Sequence, residues 1–528
     1  MRLIRTILRC GRSESGFTMG ATILGGAVMG LVVVTAVTAA RGELNVTRAD
    51  LDQKQAYEAA RAGIADYAYH LNQDTNYWTR CANVPTPTAV NQVGSTARRR
   101  SVPGTTGAAY AIELIPRTGQ AQCTEADPVN TMIEQSGSSV GTFRIRSTGY
   151  SQDSEVSLVA TFKRASFLDF LYFTQLETSD PVTYGNQATI NGAYQQCTKT
   201  IAEGRYDQNI PGSSPTQACD FIYFVGGEHI DGPLHTNDAF LVCNGQPIFG
   251  RTPTDIVSVS APPPGWFGCS GSSPNFLGTF VTNAPVLTPP PTNASLRTVA
   301  APSYRYTGQT RIVLSGNTFT VNGGMTQPIP SNGVIYVSNG ACSAAYNPFT
   351  AVYPNTSTCG NVYVRGNYSG RLTIAAENDV IVDGNLVRSG NGMLGLIANN
   401  FVRVFHPFAN PASSLTTTTQ TSRSSCGSGA NGTNSVNNLR IDAAILSIQH
   451  SFIVDHYSCG VPLGNLTVNG AIAQRFRGAV GTFSQATGNA VSGYSKRYTY
   501  DDRLRYISPP HFLDPVESAW HVQRETVE

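Results

Sequence analysis

Charge is scarce in this chain: Asp, Glu, Lys and Arg make up 13% of 528 residues, and 36 basic side chains are nearly matched by 34 acidic ones. So balanced a surface does not supply the phosphate-neutralising patch that nucleic-acid binding needs, and nucleic acid is not expected as a direct partner. Catalytic signatures are missing too. No GxSxG, HExxH, Walker loop or dinucleotide fingerprint occurs, so nucleophilic, metalloprotease and nucleotide-driven reactions have no anchor. No two cysteines form a CxxC, which leaves thiol redox and zinc-ribbon chemistry without support. The expectation is no enzyme, no cofactor and no bound metal. Proline is absent from residue 17 through residue 80, so nothing there breaks a helix.

What is abundant points to β structure. The chain holds 51 Gly and 30 Pro, the usage of short strands joined by many turns, and its 41% hydrophobic content and length suit two or three domains. At the N-terminus Arg2, Arg5, Arg9 and Arg12, offset only by Glu14, precede an almost uncharged run from Phe17 to Ala40. As a helix, that run covers roughly 36 Å, enough to cross a hydrocarbon core of about 30 Å. The run is longer than the h-region of an ordinary secretory leader and continues into polar helix. Clustered arginines stay on the cytoplasmic side, which places the C-terminal bulk outside a cytoplasmic membrane crossed once. Leu51, Tyr57, Ala60, Ile64, Tyr67 and Leu71 then continue a helical period, so one rod of about 55 residues is expected. Gly26 and Gly30 form a small-xxx-small pair that allows close helix packing in lipid, or reflect only the frequency of glycine in membrane helices.

The sequence Gly16-Phe17-Thr18-Met19 behind a short basic leader resembles the processing site of type IV pilins. The stretch Gln55-Ala56-Tyr57-Glu58-Ala59-Ala60-Arg61-Ala62-Gly63-Ile64 is similar to the N-terminal helix of PilX-type minor pilins. The resemblance covers roughly the first seventy residues. It implies cleavage by a prepilin peptidase after Gly16, methylation of Phe17, and partnership with other pilin subunits and the pilus assembly machinery. Most pilins carry a glutamate five residues into the mature helix; Ala21 stands there in this chain. In the family that carboxylate pairs with a neighbouring subunit's N-terminal amine, so its loss implies a low-copy or tip subunit.

Eleven cysteines are present, and a leader containing Cys10 would leave ten. Chain order suggests Cys81 with Cys123, Cys197 with Cys219, Cys243 with Cys269, Cys342 with Cys359, and Cys426 with Cys459, other connectivities staying open. Disulfides in an oxidising compartment agree with export.

Residues 1–16 are read as leader, 17–71 as the apolar then amphipathic helix, and 72–164 as a small antiparallel pilin-like head. Residues 165–528 are read as a parallel β-helix-like surface domain. The fold class expected is thus mainly β with one long N-terminal α-helix. Apolar triplets recur from Val334-Ile335-Tyr336 onward, and the steps Val380 to Val402 and Ile445 to Leu466 approximate one coil of a solenoid; a β-sandwich with hairpin turns is the alternative. A Ser/Thr/Asn/Gly-rich insert at 409–438 should be a mobile loop, and Tyr500 to Pro515 should cap the last coil. The triplet Arg98, Arg99, Arg100 is read as solvated charge. Asp379, Asp383, Asp442 and Asp455 are the acids available for glycosidic chemistry, but their spacing pairs none on a shared face. His229 with His235 and His450 with His456 repeat a six-residue step without an acidic partner in a metal motif, and are read as turn and core residues.

The expected function is a minor or tip subunit of a type IV pilus or related secretion filament, structural and adhesive, located in the membrane and then at the cell surface. An extracellular polysaccharide or surface ligand is the expected adhesive target. The alternatives are a single-pass cell-wall or polysaccharide-binding protein and, further off, a polysaccharide-cleaving β-helix enzyme.

Overall fold

The computed structural model describes residues 18–74, 77–81, 99–134, 142–164, 166–183, 196–205, 219, 222–342, 357–407, 431, 435–484, 489–505, 507–516 and 520–528. The chain is mainly β and divides into two compact units. The expected leader 1–16 and most of the insert 409–438 lie outside the described residues.

The first unit contains helix α1 (Thr18–Gln73), the strands β1 (Arg100–Ser101), β2 (Ala108–Ile115), β3 (Thr142–Ser151) and β4 (Ser154–Arg164), and residues 522–528. Its sheet has the order β1, β2, β3, β4, then the last strand Trp520–Val527. The chain therefore leaves this sheet after β4 and returns to it at its very end, whereas the sequence placed everything after residue 164 in the second domain. On α1 the period-3.6 residues Ala56, Ala60, Ile64, Tyr67 and Leu71 are buried, as a helix with one apolar stripe requires. They meet the face of the sheet that carries Phe143, Ile145, Leu158, Ala160 and Phe162. Tyr67 contacts both Phe143 and Phe162, whose rings stack at 5.3 Å. A glycine is required at residue 149, where a Cβ would sit 1.9 Å from the Ala56 carbonyl oxygen.

In the second unit the strands form a curled sheet with parallel ladders along its length. On one face run Arg305–Thr307, Val334–Ser338, Arg371–Ala376, Met393–Ala398, Ala444–Ser447 and the end of Pro462–Arg477. Next to that last strand comes β5 (Tyr172–Ser179), then Leu234–Thr236, Ile256–Val259 and Thr279–Val281. A second face repeats the same order, with Ala490–Tyr500 pairing to His229–Asp231.

Spatial order is thus not chain order. The chain enters at β5, in the middle of the array, and winds outward to Val281. It then crosses back along residues 282–304, where the Asn237 side chain binds Leu287 and the Asn293 side chain binds the carbonyl of Ala376. From Arg305 it winds inward again and finishes at Tyr500 beside its own entry. Two oppositely progressing runs of rungs meet at one seam, β5 against residues 472–477.

Val380 pairs with Val402, but Ile445 pairs with Ile472 and not with Leu466. The expected constant step fails there because the strand Pro462–Arg477 spans two faces in one continuous element. Inside the rungs Leu372, Ile374, Leu396, Ile445 and Ile472 are fully buried, each worth about 1.5–3 kcal/mol relative to exposure. At one corner Asn378 donates to Asn361 at 2.6 Å and Asn400 donates to Asn378, a ladder that satisfies stacked turns.

Residues 507–516 do not cap the last rung, as the sequence suggested. They lie across several rungs, with the Ser508 carbonyl accepting from Arg371, Pro510 against Gly333 and Phe512 against Gly395.

Candidate functional site

The feature that separates α1 from an ordinary packed helix is its first half. From Met19 to Val37 the large apolar side chains Ile23, Leu24, Val28, Met29, Leu31, Val32, Val33, Val34 and Val37 are all exposed, Met29 at 74%. The second half of the same helix is buried against its sheet. A single unbroken element therefore carries a folded anchor at one end and an uncovered apolar surface at the other. A contiguous apolar surface of this length is far beyond what a water-soluble monomer normally leaves open. Thr22 and Thr35 return their hydroxyls to helix carbonyls, so even the polar residues of this half present no free donor outward.

Gly26 and Gly30 lie on this half, and a Cβ at either would meet nothing within 4 Å. Among the described residues nothing requires their lack of side chains. Gly16 and Phe17 lie outside the described residues. Among the described residues no helix is long and apolar enough to cross a membrane. The run Phe17 to Ala40 belongs only in part to those residues.

The cysteines form the disulfides Cys81–Cys123, Cys197–Cys219, Cys243–Cys269 and Cys342–Cys359. Cys459 is also disulfide-bonded, and Cys426 lies outside the described residues. The arginine triplet is not simply solvated charge. Arg99 lies 3.4 Å from the ring centroid of Tyr150 on β3 and Arg100 binds Asp66 of α1 at 2.8 Å, so both are engaged within the first unit; Arg98 lies outside the described residues.

The acids that spacing left unpaired are brought together by the winding. Asp379 and Asp455 both bind Arg403, at 3.1 and 3.0 Å, and all three are fully buried. Burial holds the Asp379 carboxyl above its ordinary range against the pull of Arg403. Asp383 binds Arg311 at 2.8 Å and Asp442 binds Arg440 at 2.9 Å. None of these carboxylates is presented as one of an open pair to a sugar.

The histidines are likewise absorbed by the fold. His450 binds Asp180 through Nδ1 at 2.7 Å and stacks on Phe401, an acidic partner 270 residues away that no local motif could reveal. His456 binds the His406 carbonyl at 3.1 Å, and His229 binds the Gly250 carbonyl at 2.9 Å. Among the described residues no group of three or more His, Cys, Asp or Glu is placed to hold a metal ion.

His235, held between Ser258 and Asn237, is pushed by burial down to about 4. Its neutral form is the one the fold requires. Above the ordinary value of 6.5 both folded and unfolded chains carry it neutral, and its contribution is fully present. As pH falls from there toward 4 only the unfolded chain takes up the proton, and about 3 kcal/mol of stability should be lost. Urea unfolding of the wild type and of His235→Gln at pH 7 and pH 4.5 should show this fall shrinking in the variant.

The sequence also gave no sign of a buried ion network at the seam. Glu177 and Glu228 come from the entering run, and Arg477 and Lys496 from the returning one. Arg477 binds Glu177 at 3.2 Å, and Lys496 binds Glu228 at 2.7 Å. The Arg477 guanidinium lies 3.5 Å from the Phe224 ring centroid. Beside it is a cavity with room for about one water, lined by Tyr172, Gln474, Arg477, Lys496 and Tyr498 among others. Charges there balance, two against two, so the network presents no surplus to a ligand.

No family model and no curated protein matches this chain. Among solved structures, a match is the crystal structure of the competence-associated pilin ComZ from Thermus thermophilus, 13% identical over 90% of this chain and 97% of that chain, with a TM-score of 0.27, too loose a likeness to carry an argument.

Proposed function

We propose that this chain is a minor or tip subunit of a type IV pilus or related secretion filament, in which α1 inserts and assembles while the second unit is displayed outside. The observation that carries this reading is the division of one helix into a half buried on an antiparallel sheet and a half whose apolar side chains are uncovered. Lipid and the apolar core of a helical filament are two settings that cover such a surface. The subunit uses them in turn, first crossing the cytoplasmic membrane with Arg2, Arg5, Arg9 and Arg12 inside, then leaving it for the filament. Gly26 and Gly30 allow neighbouring helices to approach closely there. Ala21 leaves the mature helix without the carboxylate that would grasp a preceding subunit, which suits a tip position.

The second unit is read as a parallel β-helix with a structural and adhesive role, toward an extracellular polysaccharide or surface ligand. Its parallel ladders and fully buried rung interiors support that reading. A non-catalytic role is supported by the engagement of Asp379 and Asp455 by Arg403.

The test is intact-mass and N-terminal peptide analysis of protein taken from membrane and shed-filament fractions. A chain beginning at a methylated Phe17 is expected in both. A retained leader in every fraction would sink the filament reading and leave a single-pass anchored surface protein.

A further inference from the structure

We propose that the C-terminal strand is a closing latch, so that the helix-bearing first unit is completed only after the second unit has folded. The inference holds whether or not the helix assembles into a filament.

β4 and the strand Trp520–Val527 are neighbours in one sheet, yet the chain between them contains nearly all of the second unit. Without the last strand, β4 is an 11-residue edge with a free row of backbone donors and acceptors, backed by the core residues Leu158, Ala160 and Phe162. Trp520 at its start is buried, and from Val522 onward the latch is docked by polar means. Arg146 of β3 binds Glu528 at 2.7 Å and Glu113 at 2.6 Å, the Glu528 amide donates to the Ser157 carbonyl at 3.0 Å, and Arg61 of α1 lies 3.9 Å from Glu525. From Gln523 to Glu525 and at Val527 and Glu528 the side chains are exposed. From Val522 onward, exposed ion pairs and a ladder with little apolar burial bind weakly on their own. Such a strand docks only when its tether holds it close.

Folding of the second unit shortens that tether. At its entry, the Leu168 carbonyl accepts from the Tyr500 hydroxyl, the end of the returning run. At its exit, Val516 bridges to Thr288. Neighbouring Leu287 binds Asn237, whose amide donates to Thr174 of β5. Both ends of the insertion are therefore tied to rungs at the seam, an arrangement that exists only when the two runs have met. An unfolded insertion leaves β4 and the last strand connected by hundreds of flexible residues.

The experiment compares amide hydrogen exchange in the full chain with that in a chain ending at Val516. Exchange across Ser154–Arg164 should rise about 100-fold in the shortened chain while residues 305–500 keep their protection, and a synthetic peptide of residues 520–528 should restore it saturably. Full-length Arg524→Pro/Glu525→Pro provides a second route. Successive strand amides point to opposite edges, so one of the two prolines removes a donor toward β4 in either register. That variant should expose β4 alone. Unchanged protection of β4 in both variants would overturn the proposal, and so would loss of protection throughout residues 305–500 in the proline variant.

Discussion

Met29→Arg should leave both folded units unchanged and abolish recovery of the protein in membrane and filament fractions. Met29 is exposed near the middle of the apolar half of α1 and touches neither unit's core. Thermal unfolding of the purified variant should therefore match the wild type to within about 0.5 kcal/mol, the usual range for surface replacements. In lipid the same change places a guanidinium near the centre of the hydrocarbon, which costs about 2.5–3.5 kcal/mol on insertion scales. That is roughly a 100-fold shift in partition, at 1.4 kcal/mol per factor of ten. Met29→Leu supplies the control, since it keeps the apolar volume and should behave as wild type. The separation between unchanged stability and lost partition is the diagnostic. A role for this half of the helix confined to the folded protein would give the opposite pattern, with stability altered and fractionation preserved. If Met29→Arg still reaches the filament in wild-type amounts, the apolar half of α1 is not the assembly surface.

How much of this was legible in the sequence depends on the range over which each feature is encoded. The helix Thr18–Gln73 is carried by local signals: the absence of proline and the stripe Ala56, Ala60, Ile64, Tyr67, Leu71. The four described disulfides join cysteines that are neighbours in chain order, separated by 17 to 42 residues. Individual strands announce themselves as apolar triplets, and Val380 stands opposite Val402 because the rung between them has no insertion. Rung order is a different matter. Nothing local in Tyr172–Ser179 says that it pairs on one side with Ile472 and on the other with Leu234. The closing strand was not separated from the second domain because nothing local in Gln523, Arg524 and Glu525 marks it as a member of the first sheet. Its strand character comes from β4 beside it and from Arg146, 382 residues earlier than Glu528. The charged residues at the seam carry no local sign of their pairing for the same reason, since Arg477 and Glu177 are 300 residues apart. They become one network only after two runs of rungs have wound toward each other.

That network gives the largest stability effect expected in the second unit. Arg477→Met should destabilise the seam by about 3–5 kcal/mol, the usual cost of removing one partner from a buried ion pair. Methionine fills much of the volume beside Phe224, so the loss is electrostatic more than steric. Glu177 is then left buried without its cation, and burial already holds its carboxyl above the ordinary value of 4.5 while Arg477 pulls it down. Removing the arginine pushes it further up. The sign of the pH dependence follows. Above the raised folded value the unpaired carboxylate must stay charged, and the deficit is fully present. As pH falls through that value the folded state takes up a proton before the unfolded state does, so the Glu177 part of the deficit shrinks and is gone below about 4.5, while the lost bond to the Tyr223 carbonyl remains. Glu228, held below its ordinary value against burial by Lys496 and Arg477 together, loses Arg477 and keeps Lys496 at 2.7 Å. Arg477→Met/Glu177→Met removes both charges together and should recover most of the loss, to within about 1–2 kcal/mol of wild type, since an apolar pair of similar volume replaces a buried ion pair at little cost. Hydrogen exchange of β5 and of residues 472–477, followed from pH 7 to pH 4.5, reads the seam without assuming that the two units unfold together. Equal destabilisation of the single and double variants would mean that Arg477 is held for its packing on Phe224, and that the charges at the seam are incidental to how the two runs join.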